Sequence, residues 1–351
     1  MVWRRMWIVP VAVAMLAQAP AFDMHPEIRA VLLRDLKFSP DELADLERGQ
    51  IVKHGIDTTA SGEVAVAGAV RVKASKAAFL DRVRDIARFK SGPNVLQIGR
   101  ISNPPVLDDI AALTVGRDDF DVLACHVGDC PVRLPADVIR RFEQEIDRKA
   151  PDAQARGAAL FKRILIEDVQ AYVSGQPGRM LQYDDGSRPI RPVDEFVSLL
   201  KNAPSFGALI PGLPDHLEHF PSKILPESED FLYWSKEKFA SEPFITVTHV
   251  TIVCPSAATC VMATKDVYSS RYLDASLALS VASDAVRTPG SFYLVYVNRS
   301  RANALKGGFS ALRKSVVQRR ARGSLEESLG AIKLLMEKSP DGPGKVSGPG
   351  R

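Results

Sequence analysis

Apolar positions recur along the chain in three patterns. The first is an unbroken run, Met6 to Leu16. It spans about a dozen residues, the length of a secretory h-region and short of the ~20 residues a spanning helix requires. Arg4 and Arg5 precede it, and Ala19-Pro20-Ala21 follows with small residues at the −3 and −1 positions. The pattern predicts a cleavable signal peptide over 1–21, cut after Ala21, and so an exported protein, periplasmic or secreted.

The second pattern is alternation. Glu63 to Lys73 places Val64, Val66, Val70 and Val72 at even spacing, and Val95 to Ile101 is a further strand closed by Asn103-Pro-Pro105. After residue 240, four β-prone runs follow in series: Ile245–Cys254, Cys260–Tyr268, Tyr272–Ala282 and Ser291–Asn298. Their order predicts an antiparallel meander.

The third pattern is helical. Ser39-Pro-Asp-Glu42 is a start signal for a short helix to Arg48, and Ser75 caps one over Lys76 to Phe89. Helical spacing marks Pro135–Arg148, Pro151–Val173 and Glu229–Phe239, with proline-rich joints between Pro189 and Pro226. A long helix is expected from about Arg301 to Lys338, weakened at Gly307, Gly308 and Gly323 and open to a break at those points. Residues 339–351 are rich in Gly and Pro and read as a disordered tail. These elements divide the chain into 1–21, 22–105, a mainly helical 106–240, 241–338 and 339–351.

Two stretches of this order resemble the START-like, polyketide cyclase-like helix-grip superfamily. One is Val64 to Lys90, a strand running into a Ser-capped helix. The other is Ser291 to Lys333, a last strand feeding a long helix. The resemblance covers about half of the mature chain and rests on element order. It implies an α+β fold, an antiparallel sheet wrapped on the C-terminal helix, with a cavity between them. The helical stretch 106–240 is then a large insertion, as a lid or a domain of its own.

Composition narrows the function without naming it. Apolar residues make up 46% and charged residues 25% of 351 positions, ordinary for a globular protein. Loss of Arg4 and Arg5 with the leader lowers the formal charge from +4 to +2. That balance predicts no general affinity for nucleic acid or membranes. No later apolar run is long enough for a transmembrane segment, so a soluble mature chain is expected.

The four cysteines form two close pairs, and an even count in an exported chain favours disulfides. Cys254 and Cys260 flank a short loop between two strand patterns, where a hairpin brings them within bridging range. Cys125 and Cys130 bracket His-Val-Gly-Asp. Metal binding is the alternative there, although the spacing is not C-x-x-C.

Enzyme signatures are missing. There is no G-x-S-x-G, H-E-x-x-H, P-loop or G-x-G-x-x-G, and no catalytic residue, metal site or cofactor is expected from motifs. His216 and His219, at i and i+3, would share a helix face, but a polar turn between Pro214 and Pro221 explains them. His249 alternates with Ile245, Val247 and Thr251. If that face is concave, His249 enters the cavity. Tyr233 and Trp234 are candidate cavity walls, with Tyr268 on a neighbouring strand. Arg299 lies at the strand–helix corner, where an anionic headgroup would bind. Arg313, Lys314, Arg319, Arg320 and Arg322 make the last helix basic, which a solvated face explains.

Three readings follow. The leading one is an exported protein binding an apolar or lipid-like molecule in a START-like cavity. A second is a hydrolase or cyclase-type enzyme using His249 with Asp266 or Tyr268. A third is a structural envelope protein whose insertion binds another protein.

Overall fold

The computed structural model describes residues 22–338, apart from 59, 91, 93, 177, 179, 181, 240, 241, 308 and 309. The expected leader and tail lie outside the described residues. Eight strands form one antiparallel sheet: β1 (Val52–Ile56), β2 (Glu63–Val72), β3 (Val95–Ile101), β4 (Glu229–Phe239), β5 (Glu242–Ser256), β6 (Thr259–Ser269), β7 (Ala275–Asp284) and β8 (Phe292–Arg301). Their order across the sheet is β1-β2-β8-β7-β6-β5-β4-β3. Neighbours in sequence pair as hairpins from β3 to β8, except that the long inserted segment separates β3 from β4. β2 then closes the arrangement against β8.

The helices are α1 (Pro26–Ala30), α2 (Pro40–Glu47), α3 (Lys76–Arg84), α4 (Ile86–Phe89), α5 (Ala136–Glu145), α6 (Ala153–Ser174), α7 (Pro192–Lys201), α8 (Pro204–Leu209), α9 (Leu213–His219) and α10 (Ser310–Lys338). Local chemistry sets several boundaries. The Ser39 hydroxyl accepts from the Glu42 N–H at 3.2 Å, while the Glu42 carboxylate accepts from the Ser39 N–H at 2.7 Å. This reciprocal pair closes a capping box with Pro40 at the first helical position. Ser75 caps α3 by accepting from the Ala78 N–H.

Four expectations need correction. Glu229–Phe239 is strand β4, not a helix. The single helix over Lys76 to Phe89 is broken at Asp85, where ψ turns to 63°. The last strand continues to Arg301, so the long helix starts only at Ser310. Gly323 does not break that helix, which runs on to Lys338. Strand β1, with its sequence Val-Lys-His-Gly-Ile, was not anticipated.

Both faces of the sheet are covered, which is why its central strands are apolar on both sides. On the inner face, α3, α4 and α10 pack against Val70, Val72, Phe292, Leu294, Val250 and Phe231. α10 lies along β2 and β1. Gly68 makes that approach possible: a Cβ there would lie 2.9 Å from Leu325 Cδ2 and 3.0 Å from Leu329 Cδ1. The outer face carries two further cores. Near β7 and β8, α1, α2, α7 and α9 supply Ile28, Leu43, Leu199 and Leu213 against Leu277, Leu279 and Val295. Near β3 to β6, α5 and α6 bury Phe142, Phe161 and Ile164 against Leu232, Trp234, Val247 and Tyr268.

Both expected disulfides are formed. Val253 pairs with Val261, which sets Cys254 opposite Cys260 across the β5–β6 hairpin with Cα atoms 4.0 Å apart. Cys125–Cys130 closes a tight loop in the insertion, and His126 there turns to Glu143 and Arg148 instead of joining the sulfurs. Among the described residues, no helix is long and apolar enough to cross a membrane.

Candidate functional site

Strand alternation divides the candidate residues between the two faces. In the β4–β5 register, Trp234 pairs with Val247, Leu232 with His249 and Asp230 with Thr251. These six side chains point to the outer face. Tyr233 pairs with Thr248 and points to the inner one. Ile245, Val247, His249 and Thr251 do share one face, as the alternation predicts. That face lies under the inserted helices, not under α10. Trp234 is fully buried there, and its Nε1 donates to the Asp109 carbonyl at 2.8 Å. Tyr268 is also buried on that side, with its hydroxyl donating to the Arg133 carbonyl. Arg299 lies on the outer face of β8, where it pairs with buried Glu63 at 2.6 Å. It borders a shallow cleft of about 580 Å³ between β1, β8 and Asn202. The five candidate contacts therefore do not converge on one pocket.

The inner face holds a polar patch of its own. Thr264 and Asp266 on β6, with Tyr296, Asn298 and Ser300 on β8, belong to interior strands. They still keep part of their surface accessible. At the other end of the same face, Phe292, Leu294, Val250 and Ile252 are buried. The partly accessible polar residues thus lie at the Tyr296 end of the inner face, the face that carries α10. Thr248 donates to Asp266 at 2.9 Å, and Ser300 donates to Asn298 at 2.8 Å. Lys90, just after α4, donates to the Tyr233 hydroxyl at 3.2 Å and pairs with Glu237. Burial pushes the Asp266 carboxyl up to about 6, against the Thr248 bond and the Lys90 charge. Burial also pushes the Tyr296 hydroxyl up to about 12 and raises that of Tyr233. Burial alone would lower the Lys90 ammonium, but Tyr233 and Glu237 hold it above its ordinary value. The patch therefore offers a firm cation beside a carboxyl that burial pushes up to about 6, with hydroxyls between.

His249 sits in a separate node on the outer face. Its Nε2 and the Nε2 of His216 each lie 3.0 Å from Asp230 Oδ1. The Thr251 hydroxyl donates to that same oxygen at 2.7 Å, and the Ser228 hydroxyl donates to Oδ2 at 3.0 Å. His249 Nδ1 meets the Tyr172 hydroxyl at 2.9 Å. His216 Nδ1 lies 2.8 Å from the Lys223 carbonyl and 3.0 Å from the Leu225 N–H. Both imidazoles are buried, and the Phe220 ring stands 4.3 Å from that of His249. Burial alone would raise Asp230, but the bonds from His216, His249 and Thr251 hold it far below the carboxylate range. His216 is raised: burial opposes its charge, and Asp230 outweighs burial. His249 is lowered, because burial outweighs Asp230 there.

His216 and His219, read from sequence as a polar turn, part company: His219 is exposed against Asp215, while His216 is buried in the node. The polar partners of His249 are Asp230 and Tyr172, while Asp266 and Tyr268 lie elsewhere. Asp230 and Tyr172 had no sequence signal linking them to His249. For Tyr296 a signal existed, since Tyr296, Asn298 and Ser300 alternate along a strand that otherwise reads as buried.

The arrangement is α+β and helix-grip-like. Its antiparallel sheet holds a long C-terminal helix on its inner face. Similar solved structures include the Zhui aromatase/cyclase from Streptomyces sp. R1128, at 11% identity and a TM-score of 0.24. Another is Ara h 8.0201, at 9% identity and a TM-score of 0.20. Each match covers 43% of this chain and 92% of the other. No family model and no curated protein matches the sequence. The helix-grip description rests on strand order and on the packing of α10.

Proposed function

We propose that this is an exported protein that binds a lipid-like, amphipathic small molecule between α10 and the inner face of the sheet, in a groove floored by Thr264. The observation that carries the reading is the partly accessible polar patch of Asp266, Tyr296, Asn298 and Ser300 on interior strands. Such strands are normally covered, and polar groups left there need either water or a ligand as partner. Met262, Ile98 and Tyr296 give the apolar wall, while Asp266, Tyr233 and Lys90 give the polar end. Two disulfides and a leader-like N-terminus support the exported setting. His249 lies sealed on the opposite face beneath Tyr172 and Phe220, which disfavours a substrate reaching it as a general base.

The test is native mass spectrometry of the purified chain, with organic extraction and displacement of 1-anilinonaphthalene-8-sulfonate. The expected result is a co-purifying apolar molecule or saturable probe binding. Thr264→Trp, which fills the groove floor, abolishes that binding while leaving the melting temperature near that of the parent. Absence of both ligand and saturable binding, or binding unaffected by Thr264→Trp, overturns the proposal.

A further inference from the structure

We propose that His216, Asp230 and His249 form a buried site for a divalent ion of the zinc class, which pins the inserted helices to the outer face of the sheet. Their ligand atoms all lie within 4.8 Å of one another, and no other such group is found among the described residues. Two imidazoles and one carboxylate are a donor set suited to zinc, which bonds each at about 2.0–2.2 Å. Both Nε2 atoms already face one carboxylate oxygen, so an ion replaces the protons now shared between them.

The surroundings are those of a metal site. Each ligand is held from its far side: His216 by the Lys223 carbonyl, His249 by the Tyr172 hydroxyl and Asp230 by the Ser228 hydroxyl. Such outer contacts fix ring orientation and leave the inner atoms to one centre. Coordination through Nε2 selects the His216 tautomer whose Nδ1–H donates to the Lys223 carbonyl, in place of accepting from the Leu225 N–H. The Thr251 hydroxyl, 3.4 Å from His216 Nε2, is the nearest neutral oxygen for a fourth position. Lys265 is the cation on this side. Its Nζ is turned to the Leu217 carbonyl at 2.7 Å and over the Phe196 ring.

Origin and enclosure argue for a structural ion. His216 comes from α9 in the insertion, whereas Asp230 and His249 come from the adjacent strands β4 and β5. An ion shared by them ties one helix to two strands of the sheet. The two buried imidazoles beside the Phe220 ring, with Asp230 half-buried between them, mark a largely closed site.

The test uses the full mature chain, stripped with chelator and dialysed against zinc. Metal analysis should give one zinc per chain, and zinc should raise the melting temperature by several degrees. Cobalt in its place should give visible d–d absorption. His216→Ala and His249→Ala should lose the bound metal, His216→Cys should retain it with a thiolate charge-transfer band, and His219→Ala should bind as the parent does. The site is overturned by sub-stoichiometric zinc with an unchanged melting temperature. It is equally overturned if the alanine variants bind undiminished, or if His219→Ala loses the metal as they do.

Discussion

At the scale of the residue, Asp266 and Gly99 show how a neighbour's identity decides cost. Asp266 holds its proton up to about pH 6 because burial disfavours the carboxylate. In the unfolded chain it releases the proton near 3.9. Between these values the folded state binds more protons, so its contribution to stability is fully present below the lower value. It is lost as pH rises through the upper one. Asp266→Asn keeps an acceptor for Thr248 and removes the titration. The expected gain is about 1–2 kcal/mol at pH 8, discounted for partial exposure, and almost nothing at pH 4. Denaturant midpoints at both pH values check it, and an equal shift at both would refute the assignment. Gly99 faces a different constraint. A Cβ there would stand 2.6 Å from Trp234 Nε1, and that ring is fixed by its bond to Asp109. Gly99→Ala should cost about 1–3 kcal/mol, through overpacking and a strained hydrogen bond. A melting temperature equal to the parent's would contradict the tight stacking.

At the scale of the element, the strands that were legible have one clean face. Glu63–Val72 and Phe292–Arg301 alternate, and the cysteine pair announces the β5–β6 hairpin. β4 was read as a helix for a physical reason. Phe231, Leu232, Tyr233 and Trp234 are buried in succession because one face packs on the insertion and the other on the inner core. No alternation survives, and the following Ser-Lys-Glu-Lys imitates a helix surface. β1 escaped because an edge strand of five residues, four of them half-buried, carries too little pattern. The His216–Asp230–His249 node was illegible for a similar reason. Fourteen residues separate its nearest pair, and only the pairing of β4 with β5, with α9 docked against them, brings the set together. α10 docks by a feature visible only in three dimensions, the bare backbone of Gly68 beneath Leu325 and Leu329. Gly68→Ala should lift the helix at a cost of about 1–3 kcal/mol. Hydrogen exchange should report faster exchange in α10 than in β5. Unchanged protection of α10 would show that its docking does not depend on that approach.

At the scale of the whole molecule, the inserted segment and the sheet share one core. Phe120, Phe142, Phe161 and Ile164 come from the insertion, while Trp234, Ile245, Val247 and Tyr268 come from β4, β5 and β6. Neither group is buried without the other, since each supplies the apolar surface the other needs. Ion pairs cross the same boundary: Lys236 of β4 meets Asp119 at 2.7 Å, and Arg133 meets Asp274 in a buried pair at 2.5 Å. An insertion with its own core would melt by itself, whereas a shared core couples the two. The chain should therefore unfold in a single transition. Near-ultraviolet circular dichroism, dominated here by buried Trp234 and Tyr268, should lose its signal at the same temperature as the far-ultraviolet signal of the helices. Calorimetric and van't Hoff enthalpies should then agree. Two separated transitions, with the helical signal lost first while the sheet persists, would show that the outer face stands without its cover and would sink the shared-core account.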